Sequence, residues 1–494
     1  MPRATKAQPL YEAPLGDLGG FVVDTDEASY RKSDPFPTGP NQRVLGTIGI
    51  AAITYLFGCG GPIGSEPIIS SSGPAIGLPA MIVYPLLVTV PYAYIVAELC
   101  TAFPEDGGFT VWVLNAFGSF WGFQVGYWSW IAGIFNSALL PAFLLKVLSE
   151  SYDITIESSV VSYIAKLMIA TTLTIPCLLG TKFVARGSIM LLFLILIPVL
   201  VFTVWAYVRA RDFGDLFELK HKDNVFNEET GDDEQVGPIT IDWTLLLNTL
   251  FWNFDGINMA SVFGGEVANP ARVYSRAIAL TVGLTVATYF VPMPAAILVD
   301  DPNWTNFTND SYPLLAKAIG GPVLQAFFVF STVCSVAGQY MSSMFCKSIQ
   351  ICGMAENQML PFFFARRNRQ FDTPHNSILV TLFFTLVLLG VDFDELLPMA
   401  NAFSGAVQLL IIMAVIRLRK SLPYIPRPTK VPGGIWGLSA MAVLPTVGFC
   451  YITFGAFKSL LSAIIIVAFL TPGLFYGFYE LRRTSGRAPV AMFV

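Results

Sequence analysis

Charge is what this chain of 494 residues has little of: Asp, Glu, Lys and Arg together make up 13% of it, against 54% hydrophobic residues. A soluble globule of this length needs more polar surface than that to cover its core, so a water-soluble fold is excluded. The net charge of −5 offers no basic field for nucleic acid. Histidine is nearly missing. His221 and His375 both read as loop residues, which leaves no histidine for a proton relay inside a membrane. Seven cysteines, at 59, 100, 177, 334, 346, 352 and 450, are scattered through apolar runs without a CxxC pair. That pattern argues against a disulfide framework or a metal site and reads as small buried hydrophobes. There is no metal-ligand cluster, nucleophile elbow or phosphate loop, so no enzyme, metal or cofactor is expected. The early basic residues are not followed by an apolar core, so the N-terminus is no signal peptide; its polar, Pro/Gly-containing stretch reads as a mobile cytosolic tail.

What is present is apolar sequence in long runs, with a mean hydropathy of +0.61. Runs of about 20 apolar residues are long enough to cross a bilayer as helices. Twelve can be placed, at 47–73, 77–101, 117–148, 158–180, 187–208, 242–265, 276–298, 321–352, 376–391, 396–416, 435–453 and 456–479. The fold class is therefore an all-α, multi-pass membrane protein, with tails at 1–45 and 481–494. Pro104 to Gly118 begins with a Pro/Glu/Asp/Gly turn and continues as an amphipathic loop helix. With the N-terminus inside, eighteen Lys and Arg fall on the cytosolic side and six, Arg209, Arg211, Lys220, Lys222, Lys317 and Lys458, fall outside. This bias places both termini in the cytosol. Three consecutive sequons, at Asn303, Asn306 and Asn309, then lie outside and are glycosylation candidates. The outer segment 212–234 carries nine acids. It reads either as a solvated connector or as a negative vestibule that concentrates cations.

Two of the runs are interrupted. Leu250 to Pro270 carries Asn253, Asp255, Gly256 and Asn258 in its middle, and Gly46 to Pro74 breaks at Gly58, Gly60, Gly61, Pro62 and Gly64. Polar groups in hydrocarbon are costly, so they face a cavity, a partner or a substrate. Glycines beside them let a helix unwind where irregular backbone lines a site. Two interrupted helices five spans apart point to a secondary transporter built from inverted repeats. Asp255 is the leading candidate for a functional carboxylate. Glu66 is either a second candidate or a cap on the half-helix after the first break, whereas Glu98 and Glu266 read as pairing or capping residues near helix ends.

Several blocks resemble the amino acid–polyamine–organocation superfamily of transporters, and within it the plant and protist polyamine uptake transporters. They are GGPIGSEP (Gly60 to Pro67), VAELCTAFPEDGGFTVWVLNAFGSFWGFQVGYW (Val96 to Trp128), FGGEVANP (Phe263 to Pro270), GMAENQMLPFFFARRNRQFDTP (Gly353 to Pro374) and VIRLRKSLPYIPRPTKVP (Val415 to Pro432). The resemblance implies two five-helix inverted repeats, here 46–208 and 242–417, followed by two extra helices within 433–480. It implies a substrate site near the midplane where broken helices one and six meet helices three, eight and ten. The expected lining is Gly60, Gly61, Gly64, Tyr127, Asn136, Trp252, Asn253, Phe254, Asp255 and Gly256. Amides of Gly60, Gly61 and Gly64 would bind a carboxylate at a half-helix N-terminus, and Trp252 stands where amino acid carriers place an aromatic gate.

Several acidic positions of the plant pattern are not acidic here. Val125 replaces a Glu in helix three and Asn136 an Asp. Ser343 and Lys347 replace acids in helix eight, and Ala400 precedes Asn401 in helix ten. Asp255 and Glu66 are left as candidates for cation binding and proton coupling. The expected activity is import of polyamines or cationic amino acids, by proton symport with alternating access at the plasma membrane. A neutral amino acid carrier and a transporter-like nutrient sensor are the alternatives. The expected partners are a small organic cation or amino acid, protons and the lipid bilayer. An accessory subunit is not expected, because the loop Ser149 to Glu157 lacks the cysteine that some animal relatives use to hold theirs.

Overall fold

The structure is a computed structural model and describes residues 45–154, 158–210, 213–226, 233–368, 370–390, 393–458 and 460–485. Among these, nine helices are long and apolar enough to cross a membrane: Pro74–Ala102, Ser119–Ser151, Ser159–Leu178, Thr181–Arg209, Pro270–Ile297, Ser311–Glu356, Leu396–Ser421, Gly434–Gly455 and Ser462–Arg482. Three shorter segments complete the count of twelve. Span one is Thr47–Gly58 followed, after a break, by Pro67–Ser72. Span six is Trp243–Phe254 followed by tight turns at Ile257–Val262 and Gly264–Glu266. Span nine is His375–Leu388. The tails at 1–44 and 486–494 lie outside the described residues.

Differences from the expected boundaries have local causes. Span eight begins ten residues early because a first helix from Ser311 runs into Gly321, at φ 68° and ψ −164°, and Pro322 restarts it at an angle. His375 does not lie in a loop but opens span nine, with Nε2 3.2 Å from the Leu178 carbonyl. The acidic segment 212–234, expected as a solvated connector or a negative vestibule, lies partly outside the described residues; it contributes to two strands that pair antiparallel in a hairpin, β1 (His221–Phe226) and β2 (Asp233–Ile239). Its base is stitched to the junction of spans one and two: Ala75 N donates to Glu218 O at 3.0 Å, and Asp242 N to Ser71 O at 2.9 Å. The loop helix after span two is Phe109–Phe117, with Phe109, Trp112 and Val113 fully buried.

The main helix contacts fall in related pairs. Span three packs against span ten, and span eight packs against span five; span three also packs against span eight. Shifting each number by five turns the first pairing into the second, as expected of two halves that share one fold. Small residues permit the close approaches, since apolar burial does not drive helices together within lipid. A Cβ on Gly126 of span three would lie 2.3 Å from the Met354 sulfur of span eight. Apolar side chains such as Met190, Leu200, Val204 and Phe475 point outward, as a lipid-facing surface requires.

Glu98 of span two is fully buried and pairs with Arg419 at the end of span ten and with Arg427 at 3.3 Å; it also accepts the Val431 N–H at 2.8 Å. It has the pairing role read from its position. Removing one partner of such a buried group costs about 3–5 kcal/mol, so this cluster fixes the loop after span ten.

Candidate functional site

The two helix breaks touch. Gly58 ends the first half of span one, and a Cβ there would lie 2.2 Å from the Asp255 carbonyl oxygen. Gly256 takes φ 98°, which only glycine adopts readily, and a Cβ on it would lie 2.4 Å from the Phe57 ring. Asn253, fully buried, reaches across with its amide 3.4 Å from the Gly64 carbonyl. Glycine at 58 and 256 thus lets the unwound backbones approach.

A cavity opens beside this contact. It is lined by Phe57, Gly58, Asn136, Leu140, Trp252, Asp255, Gln339 and Ser343, which come from spans one, three, six and eight. Asp255 ends the helical half of span six with ψ 168°. Its Oδ1 accepts the Gly256 N–H at 2.5 Å and the side-chain amide of Gln408 from span ten, and Ser404 of span ten also bonds to the carboxylate. Among the described residues lining the cavity, Asp255 alone has an ionisable side chain. An uncompensated Asp at the centre of a helix costs roughly 2.5–3.5 kcal/mol on insertion scales. These hydrogen bonds offset part of that cost while leaving the carboxylate on the cavity wall.

Trp252 lies three residues before Asp255, toward the hairpin side. Its indole Nε1 donates to Asn136 Oδ1 of span three at 3.0 Å. Its ring rests on Gly64, where a Cβ would be 2.6 Å from the nearest ring carbon. The indole therefore bridges span three and the break in span one, over the cavity.

Glu66 is fully buried, but its side chain does not cap the following half-helix. Its Oε2 turns back to accept the Gly64 N–H at 2.6 Å. The Gly64 amide, expected as part of a carboxylate site, is thereby occupied. Gly60 packs instead against Gln339 and Ser335 of span eight, and Gly61, at φ 120°, faces Ile195 of span five. Phe254 lies behind the breaks against Tyr84 and Tyr289, with ring centroids 6.0 Å and 5.6 Å away. Tyr127 is not brought to the cavity. Its hydroxyl donates to the Phe469 carbonyl at 2.9 Å, and with Gln124 it fastens span twelve to span three. Phe57, Leu140, Gln339 and Gln408 join the site without having been anticipated. The two glutamines had a sequence signal, since each is an amide inside an apolar run; Phe57 and Leu140 had none.

On the side away from the hairpin, Arg367 gathers three carboxylates. They are Asp106 after span two (3.8 Å), Glu266 at the end of span six (3.4 Å) and Glu356 at the end of span eight (3.5 Å). Asp106 also accepts the Gly265 N–H at 2.8 Å. Glu266 is thus a pairing residue. The network joins both halves of the fold on the face opposite Trp252.

The amino acid permease family profile matches residues 45–478. The chain is 31% identical over 476 residues to "Polyamine transporter RMV1" of Arabidopsis thaliana, covering 96% of this chain and 91% of that protein. It is 30% identical to "Polyamine transporter PUT1" of Oryza sativa subsp. japonica, over 90% of this chain and 80% of that one. A more distant relative, "Serine/threonine exchanger SteT" of Bacillus subtilis, is 24% identical over 70% of this chain and 76% of its own. A twelve-span helical protein whose two helix breaks enclose a polar cavity, matched over nearly its whole length by permeases, belongs to the amino acid permease family and is a membrane transporter, not an enzyme.

Proposed function

We propose that this protein is a secondary active importer of polyamines or cationic amino acids, working by proton symport with alternating access. The observation that carries the reading is the Asp255 carboxylate, held on the wall of the cavity by Gly256, Gln408 and Ser404. A carboxylate there binds an ammonium group or a proton, and binding both in turn couples the two fluxes. The names of the plant relatives support an amine substrate.

In this reading the Arg367 face and both termini are cytosolic and the hairpin is outside, at the plasma membrane. The Lys/Arg asymmetry supports that sidedness. Trp252 closes the outer path and the Arg367 network the inner one, so the cavity between them is occluded. Import then requires the two closures to open in turn. The acids of 212–234 would draw cations toward the outer mouth. Of the three sequons beside it, Asn306 is exposed, whereas Asn303 is tied to Asp300 and Thr305. The partners are the substrate, protons and the bilayer, without an accessory subunit.

The test is proton movement coupled to substrate. In proteoliposomes loaded with a pH dye, adding arginine or putrescine outside should acidify the lumen, and protein-free liposomes should stay unchanged. Substrate accumulation without proton entry would refute symport.

A further inference from the structure

A second charged side chain lies just under the cavity, where the transport reading gives it no role. Lys347 of span eight is one helical turn beyond the cavity residue Ser343 and is 4% exposed. Its position is built rather than incidental. Gly133 of span three leaves the groove for its stem, since a Cβ there would lie 2.5–2.8 Å from three of the lysine's carbons. Its Nζ donates to Ser129 Oγ at 2.7 Å, and Ser129 in turn donates to Gln350 Oε1 at 3.0 Å. The same ammonium sits over the ring of Phe57, 5.2 Å from its centroid, and Phe57 is part of the cavity wall. Spans one, three and eight thus converge on one fixed cation, which interacts electrostatically with Asp255.

We propose that Lys347 sets substrate specificity: it occupies the place of a second substrate ammonium, so the cavity favours molecules that pair an ammonium with a carboxylate, the amino acid class, over polyamines. The proposal rests on the transport function above and chooses between its two substrate classes. The argument is one of charge balance. Asp255 offers one negative charge, and Lys347 supplies one positive charge beside it. A substrate that brings an α-ammonium and an α-carboxylate leaves that balance intact. The ammonium takes Asp255, and the carboxylate meets the Lys347 side, one turn past Ser343 on the cavity wall. Spermidine brings three ammonium groups against one carboxylate and an opposing lysine. Like charges at close range in a site with little water are strongly unfavourable. Arginine satisfies both constraints, because its guanidinium can extend away from the lysine.

The test is uptake, in vesicles bearing the full chain, of labelled arginine and spermidine, with each unlabelled compound as competitor of the other. Wild type should take up arginine at least tenfold better than spermidine at equal concentration. Lys347→Met and Lys347→Gln keep most of the side-chain volume and remove the charge. Both should move the arginine-to-spermidine ratio at least tenfold toward spermidine. A merely structural lysine would lower both rates and leave the ratio unmoved. Should neither variant reach the membrane, the wild-type ratio alone decides. Spermidine uptake equal to or above arginine in wild type, or an unchanged ratio in the variants, overturns the role of Lys347 while leaving the transport reading intact. Uptake of neither compound by wild type or variants overturns the cationic-substrate reading itself, and the specificity assignment with it.

Discussion

Trp252 holds two positions at once, Asn136 through its indole N–H and Gly64 through its ring face. Both contacts lie on the hairpin side of Asp255, so the side chain closes the cavity more than it grips a substrate. Trp252→Ala should therefore slow net uptake by about tenfold or more, which corresponds to about 1.4 kcal/mol of barrier. The dissociation constant should change by less than threefold. Uptake and equilibrium binding measured on the same preparation decide this, since a contact residue would lose both in proportion. Asp255 was legible in the sequence because a carboxylate in the middle of an apolar run has few structural explanations. Tyr127 shows the limit of that logic. An aromatic residue at helical spacing has the same pattern whether it faces a cavity or a neighbouring helix, and here it serves span twelve.

Among the elements, the two breaks carry the irregular backbone beside the cavity, and glycine accounts for their close approach. Gly256→Ala places a Cβ into the Phe57 ring at a residue with φ 98°. Overpacking of this kind costs about 1–3 kcal/mol, and the left-handed backbone adds further strain. The variant should lose at least tenfold in uptake and several degrees in thermal melting, as read by fluorescence-detected size exclusion. Wild-type values for both would show that the breaks need no close approach. The positions of the breaks were legible because Gly and Pro cluster there. The hairpin was not, because a segment dense in acids reads as solvated loop, and strand pairing depends on partners that local sequence does not reveal. The early start of span eight was hidden for a similar reason, since Gly321 and Pro322 signal a boundary and do not reveal the first helix that runs into it.

At the scale of the whole molecule, alternating access needs two closures that exclude each other's opening. Arg367 ties span two's loop, span six and span eight together, so Arg367→Gln leaves three carboxylates facing one another. The variant should favour the inward-open state. Cys352 reports on this, because it is buried beside Glu356, with Sγ 3.5 Å from that carboxylate. In inside-out vesicles of Arg367→Gln, a membrane-impermeant maleimide should label Cys352 at least fivefold faster than in wild type, as located by peptide mass spectrometry. Equal labelling would remove Arg367 from the closure. The all-α, multi-span architecture and its two broken helices were readable from the hydrophobic runs and the Gly/Pro clusters. The side-chain wall of the cavity was only partly readable, since residues such as Leu140 and Gln339 meet only through tertiary packing.

The central claim is that Asp255, in a cavity closed from both sides, binds the substrate ammonium and the coupling proton. Uptake of labelled arginine and spermidine, with and without an inward proton gradient, in wild type and in Asp255→Asn of equal surface expression, tests it most directly. The account predicts gradient-driven accumulation by wild type of at least one of the two cations, and a loss of at least a hundredfold in the variant, with its monomer peak and melting temperature unchanged. Gradient-driven accumulation by Asp255→Asn at the wild-type rate would contradict it.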